Sequence, residues 1–348
     1  MPRYVLDCER MKYPNTGLYT YCSELGQNML KLITPSEKLS FYVPDLKANV
    51  FSGQDLYRQR SWHKLWLPYS KDIQLWHTTY QTSDYFPTSP AIKKVLTIHD
   101  LNFLYNPNLA NRKQAMLSRL QRMIDKSDHL ITISNYVKND VQQHLDIGKK
   151  PLSVIYNGCD AQSFNTSGNH KYLPSKPFLF TIGTLLPKKN FHVLPALLEN
   201  NDFELIIAGN GNASYQKQIM LEAAAYGVSD RIHIIGPVNE EDKYWYFGHC
   251  KAFVFPSISE GFGIPVIEAM HHGKPVFLSD KTSLPEIGGK FAYYFENFDP
   301  ASMQEVFHNG MIHYENTQPA ALIKQHADSF RWKDVAKQYL DIYRSLTS

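Results

Sequence analysis

Ser259-Glu260-Gly261-Phe262-Gly263-Ile264-Pro265-Val266-Ile267-Glu268 is the stretch on which the reading of this chain turns. Two carboxylates stand eight residues apart, with a flexible Gly-Phe-Gly turn between them. Ahead of them runs an apolar, β-like segment, Ala252-Phe253-Val254-Phe255-Pro256. The pattern predicts a strand, a sharp turn, and a short helix with Pro265 near its first position, where a missing N–H is harmless. Such a helix points its free N–H groups back at the strand end, an arrangement that suits an anion such as a pyrophosphate. Glu260 in the turn and Glu268 in the first helical turn are both expected to reach a ligand held there. A carboxylate beside a phosphate is unfavourable unless it contacts a neutral part of the ligand. Hydroxyls of a sugar or a ribose meet that requirement.

Outward from this stretch, short β-branched runs alternate with amphipathic segments along nearly the whole chain, the pattern of parallel sheets covered by helices. The first half offers strands at 3–7, 40–43, 73–77, 94–99, 129–134 and 152–156. The second offers them at 178–183, 203–209, 231–236, 252–256, 275–279 and 291–295. Between the sets, residues 162–177 are rich in Ser, Asn, Gly, His and Pro without apolar periodicity and read as a linker. Near the end, Trp332, Val335, Ala336, Tyr339, Leu340 and Tyr343 recur at helical spacing over 331–346.

Glu-x7-Glu, written here as Ser-Glu-Gly-Phe-Gly-Ile-Pro-Val-Ile-Glu-Ala-Met and followed by Gly273-Lys274-Pro275-Val276, resembles the donor-site signature of retaining GT-B glycosyltransferases. The large family four of that classification is the nearest match. The resemblance implies an α/β protein of GT-B fold, two Rossmann-like domains facing across a cleft. The expected division is an acceptor-side domain over 1–165, joined by a C-terminal helix over 331–348 that crosses back to it, and a nucleotide-sugar domain over 166–330. Ligands in such sheets bind beyond the carboxyl ends of the strands.

Further segments fall where cleft-lining residues are expected. Gly183-Thr184-Leu185-Leu186-Pro187-Lys188-Lys189-Asn190 resembles the family's phosphate-binding loop, with Lys188 where Arg is more usual. Lysine keeps the charge and loses Arg's bidentate fork. Thr97-Ile98-His99-Asp100 resembles the family's His-Asp element, whose histidine lies beside the transferred sugar. Pro14-Asn15-Thr16-Gly17-Leu18-Tyr19 is an ordinary βα turn as a bare pattern. The family carries more glycine there, for close approach to phosphate, and this chain keeps Gly17. Asn157-Gly158 reads as a structural turn closing the first domain. By resemblance, Glu260, His99 and Lys189 are the catalytic candidates. Gly17, Lys188, Lys189, Gly261, Phe262, Gly263, Ile264 and Glu268 are the candidates for holding the donor. No Asp-x-Asp occurs in the chain. Lysines and a helix N-terminus would supply the positive field, so neither a metal nor a cofactor is expected.

Composition narrows the alternatives. A length of 348 residues suits two domains, and a net charge of +3 makes no case for nucleic acid. Cys8, Cys22, Cys159 and Cys250 form no Cys-x-x-Cys pair, which argues against a zinc ribbon or a disulfide framework and fits a reducing compartment. The opening residues read as a strand rather than a signal peptide, and no window is apolar enough to span a bilayer. The expectation is a soluble, cytoplasmic protein. A basic, amphipathic segment over 111–126, with Arg112, Lys113, Arg119, Arg122 and Lys126, reads either as an ordinary domain helix with a basic solvated face or, as the sharper alternative, as a peripheral contact with an anionic membrane at the inner face of the cell membrane. The reading is thus a retaining, metal-independent hexosyltransferase, mannose being the first guess. It would act on a nucleoside-diphosphate sugar and a glycan or lipid-linked glycan acceptor in bacterial surface-polysaccharide synthesis. Rival readings are a GT-B sugar-nucleotide epimerase, a glycan phosphorylase, and a non-catalytic sugar-nucleotide-binding module. A hydride-transfer enzyme is weaker still, since no Gly-x-Gly-x-x-Gly follows an opening strand.

Overall fold

The computed structural model describes residues 1–14, 16–44, 49–51, 53–67, 72–162 and 170–348. Asn15 of the turn before Gly17, and residues 163–169 of the expected linker, lie outside the described residues. The chain divides into two compact units, Met1–Gly158 with Phe330–Ser348, and Cys159–Ser329.

The first unit is built on a seven-stranded sheet: β1 (Arg3–Asp7), β2 (Lys38–Val43), β3 (Asp55–Arg58), β4 (Leu75–Thr78), β5 (Lys93–Ile98), β6 (His129–Thr132) and β7 (Leu152–Val154). Its order is β3-β2-β1-β4-β5-β6-β7, and every pairing is parallel. The second unit carries six strands: β8 (Phe178–Ile182), β9 (Glu204–Ala208), β10 (Ile232–Gly236), β11 (Ala252–Phe255), β12 (Val276–Ser279) and β13 (Tyr293–Phe295). They run β10-β9-β8-β11-β12-β13, again all parallel. Both orders reverse direction beside the first strand of the unit, the doubly wound pattern with a topological switch point. The central strands β9, β11 and β12 are buried along their whole length. Parallel strands covered by helices on both faces require such continuous apolar runs.

Strand β3 has no such run. Its sequence Asp-Leu-Tyr-Arg sits half-exposed at the sheet edge, and for that reason the apolar pattern did not reveal it. Strand β6 ends at Thr132 rather than Ser134 because Ser134 caps the next helix, its Oγ accepting from the Val137 N–H at 3.1 Å.

The helix Trp332–Thr347 packs into the core of the first unit. Trp332, Val335, Ala336, Tyr339, Leu340 and Tyr343 share one cluster with Tyr4, Leu6, Tyr21, Leu25 and Met29. Polar atoms in this interface are matched. The Tyr21 hydroxyl donates to the Tyr339 hydroxyl at 2.7 Å, Tyr343 meets His77 Nδ1 at 2.6 Å, and Arg344 grips Glu37 at 2.7 and 2.9 Å. The Asn157-Gly158 turn belongs to this packing. A Cβ on Gly158 would lie 2.4 Å from the Trp332 ring, so only glycine lets the indole lie against the turn.

Candidate active site

In the second unit the order reverses between β8 and β11. The loops leaving the carboxyl ends of those two strands carry Lys188, Lys189 and Glu260. This crevice is where ligands bind in open α/β sheets. Its floor is stitched by main-chain bonds between loops: Gly183 N–H to Ala208 O at 3.0 Å, Leu185 N–H to Asn210 O at 2.7 Å, and Gly209 N–H to Gly236 O at 2.8 Å. Gly209 makes this possible, with φ +131° and space so tight that a Cβ would lie 2.0 Å from Gly183 O.

The lysine loop is short and stiff. Pro187–Lys189 form one 3-10 turn, closed by Asn190 in the left-handed conformation at φ 58°. Lys188 O accepts from the Ile258 N–H at 2.9 Å and from Ser257 Oγ at 3.2 Å, which ties this loop to the one after β11. The two lysines then part company. Lys189 Nζ is ion-paired with Glu260 Oε1 and lies 4.9 Å from the centroid of the Phe255 ring. Lys188, half-buried, has no side-chain hydrogen bond or ion pair among the described residues. Asn190 is buried, and its Nδ2 finds no partner among the described residues.

Glu260 is fixed from three directions. Oε1 also accepts from Ser257 Oγ at 2.6 Å, the backbone N–H donates to Thr282 Oγ1 at 3.1 Å, and the carbonyl accepts from Ser283 Oγ at 3.2 Å. Ser283 Oγ also contacts Phe262 O at 2.8 Å, so the Gly261-Phe262 turn is held by the loop after β12. Thr282 carries φ 55°, a conformation that a β-branched residue adopts only under constraint from its surroundings.

Behind the turn, Gly263 is the N-cap of the helix Ile264–His271, with φ 115° and Pro265 inside the first turn. The Ile264 N–H lies in the first turn and lacks an intrahelical acceptor. Glu268 sits at the fifth helical position, past the first turn expected for it, and is buried. Its partner is Lys243, from the helix Glu240–His249, whose Nζ lies 2.7 Å from Glu268 Oε1 and 2.8 Å from Glu240 Oε2. Burial pulls the Lys243 pKa down, and the two carboxylates more than offset it, leaving the net shift upward. Lys243, Ser257 and Thr282 were not singled out from the sequence. In Glu-Glu-Asp-Lys, Lys243 looks like any solvated helix face, and Thr282 had only its place after a strand as a signal.

Gly17 and His99 belong to the first unit. Gly17 opens the helix Gly17–Leu30, whose N-cap Thr16 accepts from the Tyr19 N–H at 3.3 Å. A Cβ there would meet nothing within 4 Å, so no contact inside the protein demands glycine. His99 follows β5 and is buried, its Nε2–H donating to Thr79 O at 2.8 Å. Burial drives its pKa down to about 4, against a smaller upward pull from that bond, so the ring is neutral near pH 7 and presents Nδ1 as an acceptor. Nearby, Asp7 ends β1, fully buried, with its pKa pushed up to about 8 by desolvation. Ser83 Oγ at 2.6 Å and the Glu9 N–H at 3.0 Å bind its carboxyl group. It too went unremarked in the sequence.

A concavity of about 580 Å³ lined by Met1, Tyr4, Glu37, Arg344 and Ser348 lies at the amino end of the first sheet, the wrong end for a ligand in this class of fold. Among the described residues no three His, Cys, Asp or Glu side chains gather as a metal site would need.

Two family models match this chain in tandem. Residues 36–163 match Glycosyltransferase Family 4, and residues 166–309 match Glycosyl transferases group 1. The chain belongs to this group of glycosyltransferases. Among its relatives is the O-antigen chain mannosyltransferase RfbU of Salmonella typhimurium, 27% identical over 225 residues, which are 64% of this chain and 62% of that protein. The serotype-specific mannosyltransferase WbdA of Escherichia coli is 26% identical over 280 residues, 73% of this chain and 34% of that protein. The chain thus spans about three fifths of the first relative's length and a third of the second's. Among solved structures, sucrose-phosphate synthase from Thermosynechococcus elongatus superposes with a TM-score of 0.76 at 16% identity, covering 99% of both chains. Anabaena HepE in complex with UDP and glucose gives 0.67 at 17%, covering 99% of this chain and all of that one. The fold is GT-B, two parallel-sheet Rossmann-like domains. Among the described residues no helix is long and apolar enough to cross a membrane.

Proposed function

We propose that this protein transfers a hexose, mannose in the first instance, from a nucleoside-diphosphate sugar to a glycan or lipid-linked glycan acceptor, with retention of configuration and without a metal, in bacterial surface-polysaccharide synthesis. The observation that carries the reading is the Lys189–Glu260 pair at the β8/β11 switch point, beside the N-terminus of the helix Ile264–His271. Mannosyltransferase relatives support the sugar, and the UDP complexes of HepE support the donor class.

The chemistry is departure of a nucleoside diphosphate from an anomeric carbon. Negative charge grows on the leaving oxygen while the sugar becomes oxocarbenium-like. An incoming pyrophosphate would compete with Glu260 for Lys189, and the open Lys188 would join it. A cation about 4 Å from a phosphate contributes on the order of 4 kcal/mol at an effective dielectric near 20. Released from part of its pairing, Glu260 would accept from a hydroxyl of the transferred sugar. The N–H groups of Gly263 and Ile264 would add preorganised donors for the leaving charge. Among the described residues Lys243 holds Glu268 through Oε1, and Oε2 would be the atom offered to ribose hydroxyls. His99 would accept from the sugar through Nδ1, and Gly17 would leave room for the β-phosphate. No carboxylate is assigned as a nucleophile, so front-face displacement follows, a phosphate oxygen taking the acceptor's proton.

Thermal-shift screening against GDP-, UDP-, ADP- and dTDP-sugars tests the donor first, because a ligand raises apparent stability by mass action. Transfer of labelled mannose from GDP-mannose into a glycan or lipid fraction, surviving EDTA, is the expected result. No stabilisation by any nucleotide sugar would sink the reading. Activity lost with chelator and restored by magnesium or manganese would overturn its metal-free part.

A further inference from the structure

One turn of the first unit is built inside out. The 3-10 turn Ser61–Lys64 follows the carboxyl end of β3, and its inward residue is the polar one. His63 is buried at 2% exposure, with Nδ1 2.8 Å from the Tyr42 hydroxyl. The apolar residues face outward: Trp62 is 50% exposed, Trp66 59% and Leu65 89%. The two indoles lie nearly parallel, centroids 6.1 Å apart, and Trp62 rests edge-on against His63 at 4.2 Å. His63 therefore anchors the turn while its neighbours are presented to solvent. A contiguous apolar patch displayed in this way marks an interaction site more often than a scattered exposed leucine does.

The charge around it is one-sided. Arg60 and Lys64 are exposed beside the indoles, with Arg58 just before them. Among the described residues, Asp84 and Asp55 are each held by two cations. Asp84 is bound by Lys64 at 2.6 Å and by Arg119 at 2.5 Å, and Asp55 by Arg3 and Lys38, both at 2.8 Å. The same contacts remove Arg119 from the basic face expected over 111–126. Its guanidinium turns inward to Asp84 and to the carbonyls of Thr82 and Ser83.

We infer that the turn carrying Trp62, Leu65 and Trp66 docks on an anionic lipid bilayer, indoles and leucine at the headgroup boundary, with the exposed Arg60 and the positive excess of the Lys64–Asp84–Arg119 cluster toward acidic headgroups. Tryptophan favours that boundary, and each basic residue near an anionic surface contributes on the order of 1 kcal/mol. A leucine this exposed has nothing to offer a soluble sugar, which argues for lipid over a glycan-stacking platform. The patch also lies at the carboxyl end of the sheet, and the Lys64–Asp84 pair links it to the loop after β4, beside the β1/β4 switch point. Docking there would present that crevice to a lipid-linked acceptor. This use rests on the proposed transferase activity, whereas the docking itself is measured without it.

Flotation with phosphatidylcholine–phosphatidylglycerol vesicles tests the inference, with pure phosphatidylcholine as the comparison. The expected result is association with the anionic vesicles at low salt, weakened at high salt, with tryptophan emission shifted to the blue and quenched by brominated lipid. Trp62→Ser with Trp66→Ser should reduce partition at least about tenfold while leaving nucleotide-induced thermal shifts unchanged. Arg112→Glu with Arg122→Glu should bind nearly as wild type. Wild-type protein that ignores anionic vesicles would overturn the proposal, as would tryptophan variants that bind undiminished. So would emission that responds to soluble oligosaccharides and not to vesicles. If the double variant fails to fold, brominated-lipid quenching of a Trp245→Phe protein still decides, since Trp76 and Trp332 are buried and Trp245, partly exposed in the second unit, is then removed from the signal. Nucleotide binding measured on the same preparation separates failure here from failure of the transferase reading.

Discussion

Lys243 reaches across from the neighbouring helix to hold Glu268, Nζ to Oε1 at 2.7 Å, with both side chains at most 15% exposed. Solvent screens such a pair poorly, and removing one partner leaves a buried charge uncompensated. Lys243→Met should therefore destabilise the second unit by about 3 kcal/mol, and adding Glu268→Gln should recover part of that loss. Denaturant unfolding of the two single variants and the double variant measures the coupling. Additive effects would mean that the pair does not act as a unit.

Glu260 and Glu268 should separate kinetically. Ribose contacts are similar in ground and transition states, whereas contacts at the reacting sugar tighten as charge develops. Glu268→Ala is expected to weaken donor binding, and Glu260→Ala to slow turnover more than it weakens binding. Equal losses of nucleotide affinity in both would count against these roles.

The two lysines should differ as well. Lys189→Ala should lose roughly 2 kcal/mol or more of transition-state stabilisation, the scale of one preorganised electrostatic donor. Near-wild-type kcat/KM for that variant would remove Lys189 from the site.

Thr282 stores strain where it supports Glu260. Left-handed backbone costs a non-glycine residue about 1–2 kcal/mol, and the bond from the Glu260 N–H returns about 1. Thr282→Gly should leave the melting temperature close to wild type while lowering kcat, because the Glu260 turn loses its support. Thr282→Val keeps the strain without the hydroxyl and should be the less stable of the two. The reverse order of melting temperatures would show that the strain is not real.

Two buried groups of the first unit give opposite pH dependences. His99 titrates near 4 in the folded protein against an ordinary 6.5, so its contribution is complete above 6.5 and declines as pH falls toward 4. Asp7 titrates near 8 against an ordinary 3.8, so its contribution is complete below 3.8 and is lost as pH rises toward 8. Between about pH 6.5 and 8 only the Asp7 slope of this pair remains. Asp7→Asn, whose amide can still meet Ser83 Oγ and the Glu9 N–H, should flatten the decline over that range. A thermal melting series against pH checks this, and an unchanged slope would show that Asp7 is ionised throughout.

The parts legible in the sequence were those set by one-dimensional pattern. Ala252–Phe255, Gly263, Pro265 and Glu268 announce strand, turn and helix because each obeys a local rule of burial or backbone geometry. Asp-Leu-Tyr-Arg at β3 obeys none, since a sheet edge needs neither alternation nor a continuous apolar run. Lys188 and Lys189 looked equivalent as neighbours. Only the 3-10 turn, which sends successive side chains in different directions, gives Glu260 to one and leaves the other open. Lys243 was hidden for a related reason: its partner lies 25 residues on, and nothing local distinguishes it from a solvated helix lysine.

The packing of Trp332–Thr347 against Gly17–Leu30 also sets an order of events at the ribosome. Residues 159–329 are made between the two parts of the first unit. At about 5–20 residues per second, the early strands wait roughly 10–35 s for their final helix. Throughout that interval Tyr4, Tyr21, Leu25 and Met29 lack the cover that Tyr339, Leu340 and Tyr343 later provide. The second unit, contiguous in sequence, can finish first. Nascent chains of this protein are thus natural clients for chaperones at their amino-terminal half, although that half is synthesised first.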